Sequence, residues 1–194
     1  MSTTVPPAPT APTTPHPGAT IWLTGLPSAG KSTIASALAL RLRAHRHHVE
    51  ILDGDALRRT VSANLGFGRA DREAHVHRVG GLAETAALNG AIALVPVIAP
   101  YAISRDRVRR RHAAKHIPFL EIHVATPLAV CARRDVKGLY ARQAAGELSG
   151  LTGVDDPYEP PTSPDLRINT EHEPVSTSVA TVWRLLASRG LIAA

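Results

Sequence analysis

Residues 25–32 read Gly25-Leu26-Pro27-Ser28-Ala29-Gly30-Lys31-Ser32, and the rest of the chain is best interpreted from them. They have the form Gly-x-x-x-x-Gly-Lys-Ser, the pattern of a phosphate-binding loop (P-loop). Gly25 and Gly30 permit the tight bend that points several backbone N–H groups into one concave nest. Lys31 supplies a cation for the β- and γ-phosphates of a nucleotide, and Ser32 supplies a hydroxyl that can ligate Mg²⁺.

The segments on either side of this loop are those that a P-loop requires. Gly18–Leu23 is apolar enough to predict a short buried strand, and Ser32–Arg46 has apolar residues at helical spacing. The phosphates would then also meet the positive end of a helix dipole. A glycine-rich turn that binds nothing is the alternative. We expect ATP to be held by Gly25, Leu26, Pro27, Ser28, Ala29, Gly30, Lys31, Ser32 and Thr33.

Two carboxylates follow the next predicted strand, Val49–Leu52, in the sequence Asp53-Gly54-Asp55. Acidic residues at the carboxyl end of a strand lie where ligands bind in open α/β sheets. One carboxylate can hold Mg²⁺ or its waters, and the other can orient an attacking hydroxyl or take its proton. The pattern alone leaves open which does which, and an Asp-Gly turn is the alternative. The catalytic candidates are Lys31, Asp53 and Asp55, and the metal candidates are Ser32 and Asp53.

The remaining chain alternates between predicted helices and strands. Helices are predicted over residues 56–61, 71–89, 105–115, 127–134 and 175–188, and strands over residues 91–99, 119–124 and 166–169. The run at 91–99 is continuously apolar, which favours a central parallel strand with a break at Pro96. The fold expected is α/β: a P-loop NTPase-type three-layer sandwich with a central parallel sheet and helices on both faces. Residues 135–161 have weak periodicity and predict a lid.

Composition limits the classes of protein to consider. The 194 residues suit one domain, residues 18–194, preceded by a disordered Pro-rich arm over residues 1–17. The net charge of +6 suits anionic partners. The arginines of residues 107–111 lie on a predicted helix without interleaved aromatics, so no nucleic-acid binding is expected. A single cysteine, no apolar run of about 18 residues and no leader pattern favour a cytoplasmic protein without membrane contact.

Several further motifs occur together from Ala19 to the C-terminus. They are Asp53-Gly54-Asp55-x-x-Arg58, Leu65-Gly66-Phe67 followed by Asp71-Arg72, Ile98-Ala99-Pro100-Tyr101, Thr126-Pro127-Leu128 with Cys131, Arg134-Asp135-x-Lys137-Gly138-Leu139-Tyr140, and Thr152-Gly153-x-Asp155-Asp156-Pro157-Tyr158-Glu159-Pro160-Pro161. With the P-loop, this set resembles the adenylylsulfate kinase (APS kinase) family of P-loop kinases.

The resemblance implies transfer of the γ-phosphoryl group of ATP, with Mg²⁺, to the 3′-hydroxyl of adenosine 5′-phosphosulfate (APS). The products are ADP and 3′-phosphoadenosine 5′-phosphosulfate. A phosphosulfate favours Arg and Lys, and a purine favours an aromatic face such as Phe67. The acceptor residues that the resemblance implies are Asp55, Arg58, Phe67, Arg72, His75, Ile98, Ala99, Lys137, Gly150 and Leu151.

Four positions depart from the family pattern. The family often has serine at Ala99, asparagine at His75, arginine at His77 and an aromatic residue at Leu151. Because alanine has no hydroxyl, we expect direct in-line transfer without a phosphoserine. His75 keeps hydrogen-bonding capacity, with a charge expected to depend on pH. Leu151 keeps an apolar contact and loses ring stacking, worth about 1 kcal/mol.

Two other functions fit the same sequence. One is a P-loop kinase for a related nucleotide or another hydroxyl acceptor, suggested by these four acceptor-side departures. The other is a non-catalytic nucleotide-binding partner of the ATP sulfurylase that makes APS, supported only by the arm over residues 1–17. Intact Lys31, Ser32, Asp53 and Asp55 argue against the second. The family resemblance also implies a homodimer.

Overall fold

The computed structural model describes residues 18–193 and contains one five-stranded sheet. All strand pairs are parallel, in the order β2-β3-β1-β4-β5. The strands are β1 (Ala19–Thr24), β2 (Val49–Ile51), β3 (Ile92–Pro96), β4 (Phe119–Val124) and β5 (Leu166–Ile168). Ile21 of β1 lies in register with Leu94 and Leu120 on either side. The P-loop therefore follows the middle strand. The apolar run predicted as a central parallel strand is β3, an interior strand that pairs in parallel with β1 and β2.

Seven helices are described. They are α1 (Lys31–Ala44), α2 (Gly54–Arg59), α3 (Arg69–Leu88), α4 (Ala102–Ala113), α5 (Leu128–Arg134), α6 (Leu139–Ala144) and α7 (Val175–Ser188). Two apolar cores separate them by face. One core packs α1 and α7 against the sheet, with Leu38 and Leu186 fully buried. The other packs α3 and α4 against the opposite face, around Trp22 and Val79. This is the three-layer α/β sandwich expected, and that prediction is confirmed.

Local boundaries differ from the sequence predictions in a few places. Helix α2 begins at Gly54 rather than residue 56, because the Asp53 side chain caps it. Strand β3 ends at Pro96, where a ladder donor is missing, as the proline suggested. The predicted lid contains helix α6, which the weak periodicity concealed. The arm predicted over residues 1–17 lies outside the described residues.

The arginine-rich face of α4 is largely occupied by carboxylates. Arg105 and Arg109 both pair with Glu121 of β4, and Arg111 pairs with Glu84 of α3. Both glutamates are buried, so the charges stabilise one another within the layers. Within residues 18–193, no helix combines the length and apolarity needed to cross a bilayer.

Candidate active site

The P-loop has the strained geometry that its glycines predict. Gly30 has φ +103°, and a Cβ at Gly25 would clash with the carbonyl oxygen of Val124. The ammonium of Lys31 lies over the loop, 2.9 Å from the carbonyl oxygen of Gly25 and 2.7 Å from that of Leu26. Burial lowers the pKa of Lys31 to about 8. The loop thus forms a nest with one buried amine poised for phosphate oxygens.

Asp53 joins the P-loop to the second strand's carboxyl end. The Ser32 hydroxyl donates to its Oδ2 at 2.7 Å, and Oδ1 accepts from the amides of Asp55 and Ala56 at 3.0 and 3.2 Å. Asp55 lies two residues further along, in the first turn of α2, and is exposed. The two carboxylates therefore differ in their contacts: Asp53 is held beside Ser32, and Asp55 is exposed and pairs with Lys137.

A cavity of about 400 Å³ runs along this edge of the sheet and brings most predicted site residues together. The predicted residues that line it are 27–33 of the P-loop and Asp55, Arg58, Phe67, Arg72, His75, Ile98, Ala99 and Lys137. Those that do not line it are Gly25, Leu26, Asp53, Gly150 and Leu151. Asp53 reaches the site through Ser32, while Leu151 is buried in the core that includes α1.

One end of the cavity is cationic around an aromatic ring. The guanidinium carbon of Arg58 lies 4.8 Å from the centroid of Phe67, and that of Arg72 lies 5.9 Å from it. The ring is 68% exposed, which leaves it open to stacking on one face. Arg58 also donates to the carbonyl of Gly66 at 2.6 Å, which holds the turn before Phe67. This end suits an anionic purine nucleotide.

Arg72 is committed to the protein more than the sequence suggested. Its three nitrogens donate to Phe67 O at 2.6 Å, Thr152 Oγ1 at 2.7 Å and Gly150 O at 2.6 Å. Asp156 lies 3.6 Å away, and Arg72 is buried. Gly150 is therefore connected to the cavity through Arg72. These contacts fix residues 150–156 to α3, so the segment 135–161 divides into an anchored part and a part around α6.

His75 is uncharged in this environment. It lies buried on α3 with Nδ1 3.0 Å from the hydroxyl of Ser62. Burial, with the nearby Arg58 guanidinium, lowers the pKa of His75 to about 4. The sequence predicts a charge that depends on pH, and the lowered pKa places that change of charge in the acid range, with a neutral imidazole in the cavity wall at neutral pH. The burial that causes this depends on packing that the sequence does not display.

Lys137 and Asp55 form an ion pair across the mouth of the site. Lys137 precedes α6, whose first turn is capped by the Asp135 carboxylate accepting from the amides of Tyr140 and Ala141 at 3.1 and 2.9 Å. Both partners of the pair are about half exposed, so its stabilising effect is modest. The contact shows that the predicted lid reaches the candidate base.

Sequence reasoning missed the opposite end of the cavity, beyond Gly30. Arg134 donates to the hydroxyl and carbonyl of Thr170 at 2.7 and 2.6 Å, and Thr170 donates to Ala29 O at 3.0 Å. The other lining residues there are Glu173, Val175 and Ser178. Thr170 follows β5, so the rule that ligands bind at the carboxyl ends of parallel strands could have found it.

Comparison with known proteins agrees with this geometry. The family model for adenylylsulphate kinase matches residues 17–169. This range contains all the residues that line the cavity except Thr170, Glu173, Val175 and Ser178. The chain belongs to the adenylylsulphate kinase family. A probable adenylyl-sulfate kinase of Synechocystis is 47% identical over 169 residues, covering 87% of this chain and 93% of that protein. The adenylyl-sulfate kinase of Myxococcus xanthus is 48% identical, covering 90% and 94%.

A solved member of the family shares the whole fold. The Mycobacterium tuberculosis APS kinase CysC, in complex with AMPPNP and APS, is 41% identical to this chain with a TM-score of 0.85. The similarity covers 87% of this chain and 97% of that one. The fold class and kinase assignment predicted from the sequence are therefore confirmed.

Proposed function

We propose that this chain transfers the γ-phosphoryl group of ATP to the 3′-hydroxyl of APS, giving ADP and 3′-phosphoadenosine 5′-phosphosulfate. The observation that carries the proposal is one continuous cavity with a P-loop in the middle and an Arg58–Phe67 anion and purine site at one end. Membership of the adenylylsulphate kinase family supports the same reaction.

ATP would occupy the P-loop and the end beyond Gly30. Backbone N–H groups of residues 25–33, other than Pro27, suit its phosphates, and Lys31 suits the β- and γ-phosphate oxygens. The space beside Arg134 and Thr170 then remains for the donor nucleoside, since the acceptor end is on the opposite side of the P-loop in the order of strands. The proposed ATP contacts thus follow β1, β4 and β5, and the acceptor contacts follow β2 and β3, with Lys137 added from the segment before α6.

Ser32 and Asp53 fit Mg²⁺. Their oxygens lie 2.7 Å apart, and hydroxyl and carboxylate oxygens are the hard donors that Mg²⁺ prefers. Two protein oxygens are sufficient, because Mg²⁺ keeps several waters and binds substrate phosphates. When bound, the ion would neutralise charge on the β- and γ-phosphate oxygens. We therefore assign Asp53 to the metal side of the reaction.

Asp55 is then the base. In the proposed step a bond forms between the acceptor 3′-oxygen and the γ-phosphorus, and the bond to the β–γ bridging oxygen breaks. The hydroxyl proton passes to the Asp55 carboxylate. The negative charge that develops on the β–γ bridging oxygen stays on ADP, where the Lys31 ammonium stabilises it. Arg58, Phe67 and the acceptor wall hold APS in line. We define this acceptor wall as Ile98–Pro100, which lines the cavity at the end of β3.

No covalent phospho-enzyme is needed at the acceptor wall. Ala99 offers a methyl group there, so transfer is direct between the two nucleotides. Lys137 pairs with Asp55 and would exchange this contact for the acceptor's anionic groups as the lid closes. Closure around the cavity would exclude water, which otherwise accepts the phosphoryl group.

The decisive experiment measures ADP release with ATP, Mg²⁺ and a panel of hydroxyl acceptors that includes APS. We expect turnover that depends on APS, lost by at least about 10²-fold in Asp55→Ala, because base catalysis contributes about that much. Asp106→Asn, at an exposed position on α4, is the matched control. Turnover with another acceptor and none with APS would favour the alternative of a related P-loop kinase.

The association state and location are proposed on family grounds. We propose a homodimer. Light scattering of the full chain measures its mass in solution, and the mass of a monomer would contradict this proposal. Cytoplasmic location and contact with a sulfurylase remain predictions. A pull-down with and without residues 1–17 tests whether that arm binds the sulfurylase.

A further inference from the structure

The three carbonyl groups of the acceptor wall are each held from outside the cavity. The wall residues lie at the carboxyl end of β3, and every one of them lines the cavity. The donors are Thr24 Oγ1 to Ile98 O at 2.5 Å, Arg105 Nη1 to Ala99 O at 2.8 Å, and the amide of Glu159 to Pro100 O at 2.8 Å. Three consecutive carbonyls are thus tied to three separate segments, far apart in sequence.

The middle residue of the wall has an unfavourable backbone conformation. Ala99 has φ +44°, in the left-handed region that alanine seldom adopts. Such a conformation persists only where surrounding contacts determine it. The hydrogen bond from Arg105 to the Ala99 carbonyl is the contact made directly to this residue's own peptide group.

Arg105 links the wall to the rigid centre of the fold. It is 3% exposed, and its three nitrogens serve three acceptors. Nε donates to Glu121 of β4 at 2.8 Å, and Nη2 donates to Glu159 O at 2.7 Å. Glu159 in turn accepts the amide of Ala102 at 2.7 Å. A planar guanidinium can hold these fixed directions at once, whereas the point charge of lysine cannot.

We propose that Arg105 is a positioning residue for the acceptor nucleotide: it holds the acceptor wall in the left-handed bend that borders the APS end of the cavity. This inference rests on the proposed function. The donor end is built on the P-loop and Thr170, which Arg105 does not touch. Loss of the Arg105 contacts therefore alters binding of the acceptor and leaves binding of ATP unchanged.

Arg105→Lys and Arg109→Lys form a matched pair for testing this. Both arginines lie on α4 and pair with Glu121, but Arg109 donates to Asp165 and makes no contact with the wall. We expect Arg105→Lys to raise the KM for APS about 10-fold or more and to lower kcat, since small misplacements cost up to about 10²-fold. The KM for ATP stays within about 2-fold, and Arg109→Lys changes neither KM. Equal changes in both KM values, or the same change in Arg109→Lys, overturn the proposal.

A second measurement needs no substrate. Hydrogen exchange at the amides of Ala102 and Glu159 reports whether the wall is held, because both amides donate within this network. We expect faster exchange there in Arg105→Lys and wild-type exchange in Arg109→Lys. Unchanged exchange in Arg105→Lys overturns the proposal, whatever the acceptor. An inactive wild type with this exchange pattern would instead refute the APS assignment alone.

Glu121→Gln covers the case in which Arg105→Lys does not fold. Glutamine keeps an acceptor for Arg105 and removes the buried counter-charge, so the guanidinium is held less firmly. We expect the same selective rise in the KM for APS, of smaller size, together with faster exchange at Ala102 and Glu159. A folded Glu121→Gln variant with wild-type KM for APS and wild-type exchange overturns the proposal.

Discussion

The hydroxyl of Ser32 and the Oδ2 atom of Asp53 lie 2.7 Å apart, and the same carboxylate caps helix α2 through Oδ1. One side chain thus connects the P-loop to the turn that carries Asp55. The two oxygens of Asp53 have separable tasks: Oδ1 stabilises the helix start, and Oδ2 faces the proposed Mg²⁺ ligand Ser32. Substitutions that keep one oxygen and alter the other can therefore separate stability from catalysis.

Asp53→Asn should lower kcat by at least about 10²-fold with little loss of stability. Its amide oxygen still caps α2, but the neutral side chain binds Mg²⁺ poorly. Asp53→Ala should show the same loss of activity and also be destabilised by about 1 kcal/mol, the usual value of a lost cap. Activity against Mg²⁺ concentration and denaturant unfolding check both. Equal activity in Asp53→Asn and wild type would contradict the metal-side assignment.

The site elements that the sequence predicted are those whose residues lie close together in the chain. The P-loop needs eight consecutive residues, and Asp53 and Asp55 follow directly from a strand end. The alternation of apolar strands and helices was enough to predict the three layers of the α/β sandwich. Arg58 and Phe67 came only from the family resemblance, since a half-buried arginine and an exposed phenylalanine have no local signature of a shared site.

The features that the sequence did not predict depend on contacts between distant segments. Arg72 stays a predicted substrate ligand, but its contacts with Gly150 and Thr152, about 80 positions away, were not predicted. The neutral state of His75 follows from burial against neighbours that only the fold brings together. Helix α6 is six residues long and begins after Gly138 with φ +65°, so it is too short for a periodic signal.

ATP binding should weaken above about pH 8. Burial lowers the pKa of Lys31 to about 8, so the free enzyme loses this charge as the pH rises. Bound phosphate oxygens favour the ammonium form, so binding above pH 8 takes up a proton and becomes weaker with rising pH, at most 10-fold per pH unit. The phosphates themselves titrate near pH 6 and do not interfere.

Calorimetry of ATP binding in two buffers with different ionisation enthalpies measures this proton uptake. We expect uptake that approaches one proton per ATP at pH 9 and is near zero at pH 7. Lys31→Arg, whose charge does not titrate in this range, should take up none even if it binds ATP weakly. Proton uptake that is equal in Lys31→Arg and wild type would contradict the role given to Lys31.

The protein should turn over without carrying a covalent phosphate. Ala99 has no hydroxyl at the acceptor wall, so the γ-phosphoryl group has no side-chain acceptor there. After incubation with γ-labelled ATP and acid denaturation, we expect no label on the chain and an unchanged intact mass. Ala99→Ser should keep turnover within a few-fold of wild type. Label on the wild-type chain that chases to the product would refute direct transfer.

Acid should destabilise the protein partly through His75. Its native pKa is about 4, below the usual value of 6.5, because it is buried beside Ser62 and Arg58. Between these values the unfolded chain binds more protons, so this contribution to stability is full above pH 6.5 and is lost as the pH falls towards 4. One such group gives a slope of at most about 1.4 kcal/mol per pH unit.

Denaturant unfolding from pH 7 to pH 4.5 measures that slope. His75→Asn should reduce the slope by up to the contribution of one proton, about 1.4 kcal/mol per pH unit. It keeps a hydrogen-bonding group beside Ser62. His172→Asn is the control for replacing a histidine, because the His172 side chain is 86% exposed. His123, with a pKa also lowered to about 4 by burial, should sustain part of the slope in both variants. An unaltered slope in His75→Asn would show that His75 is accessible to protons in the native state.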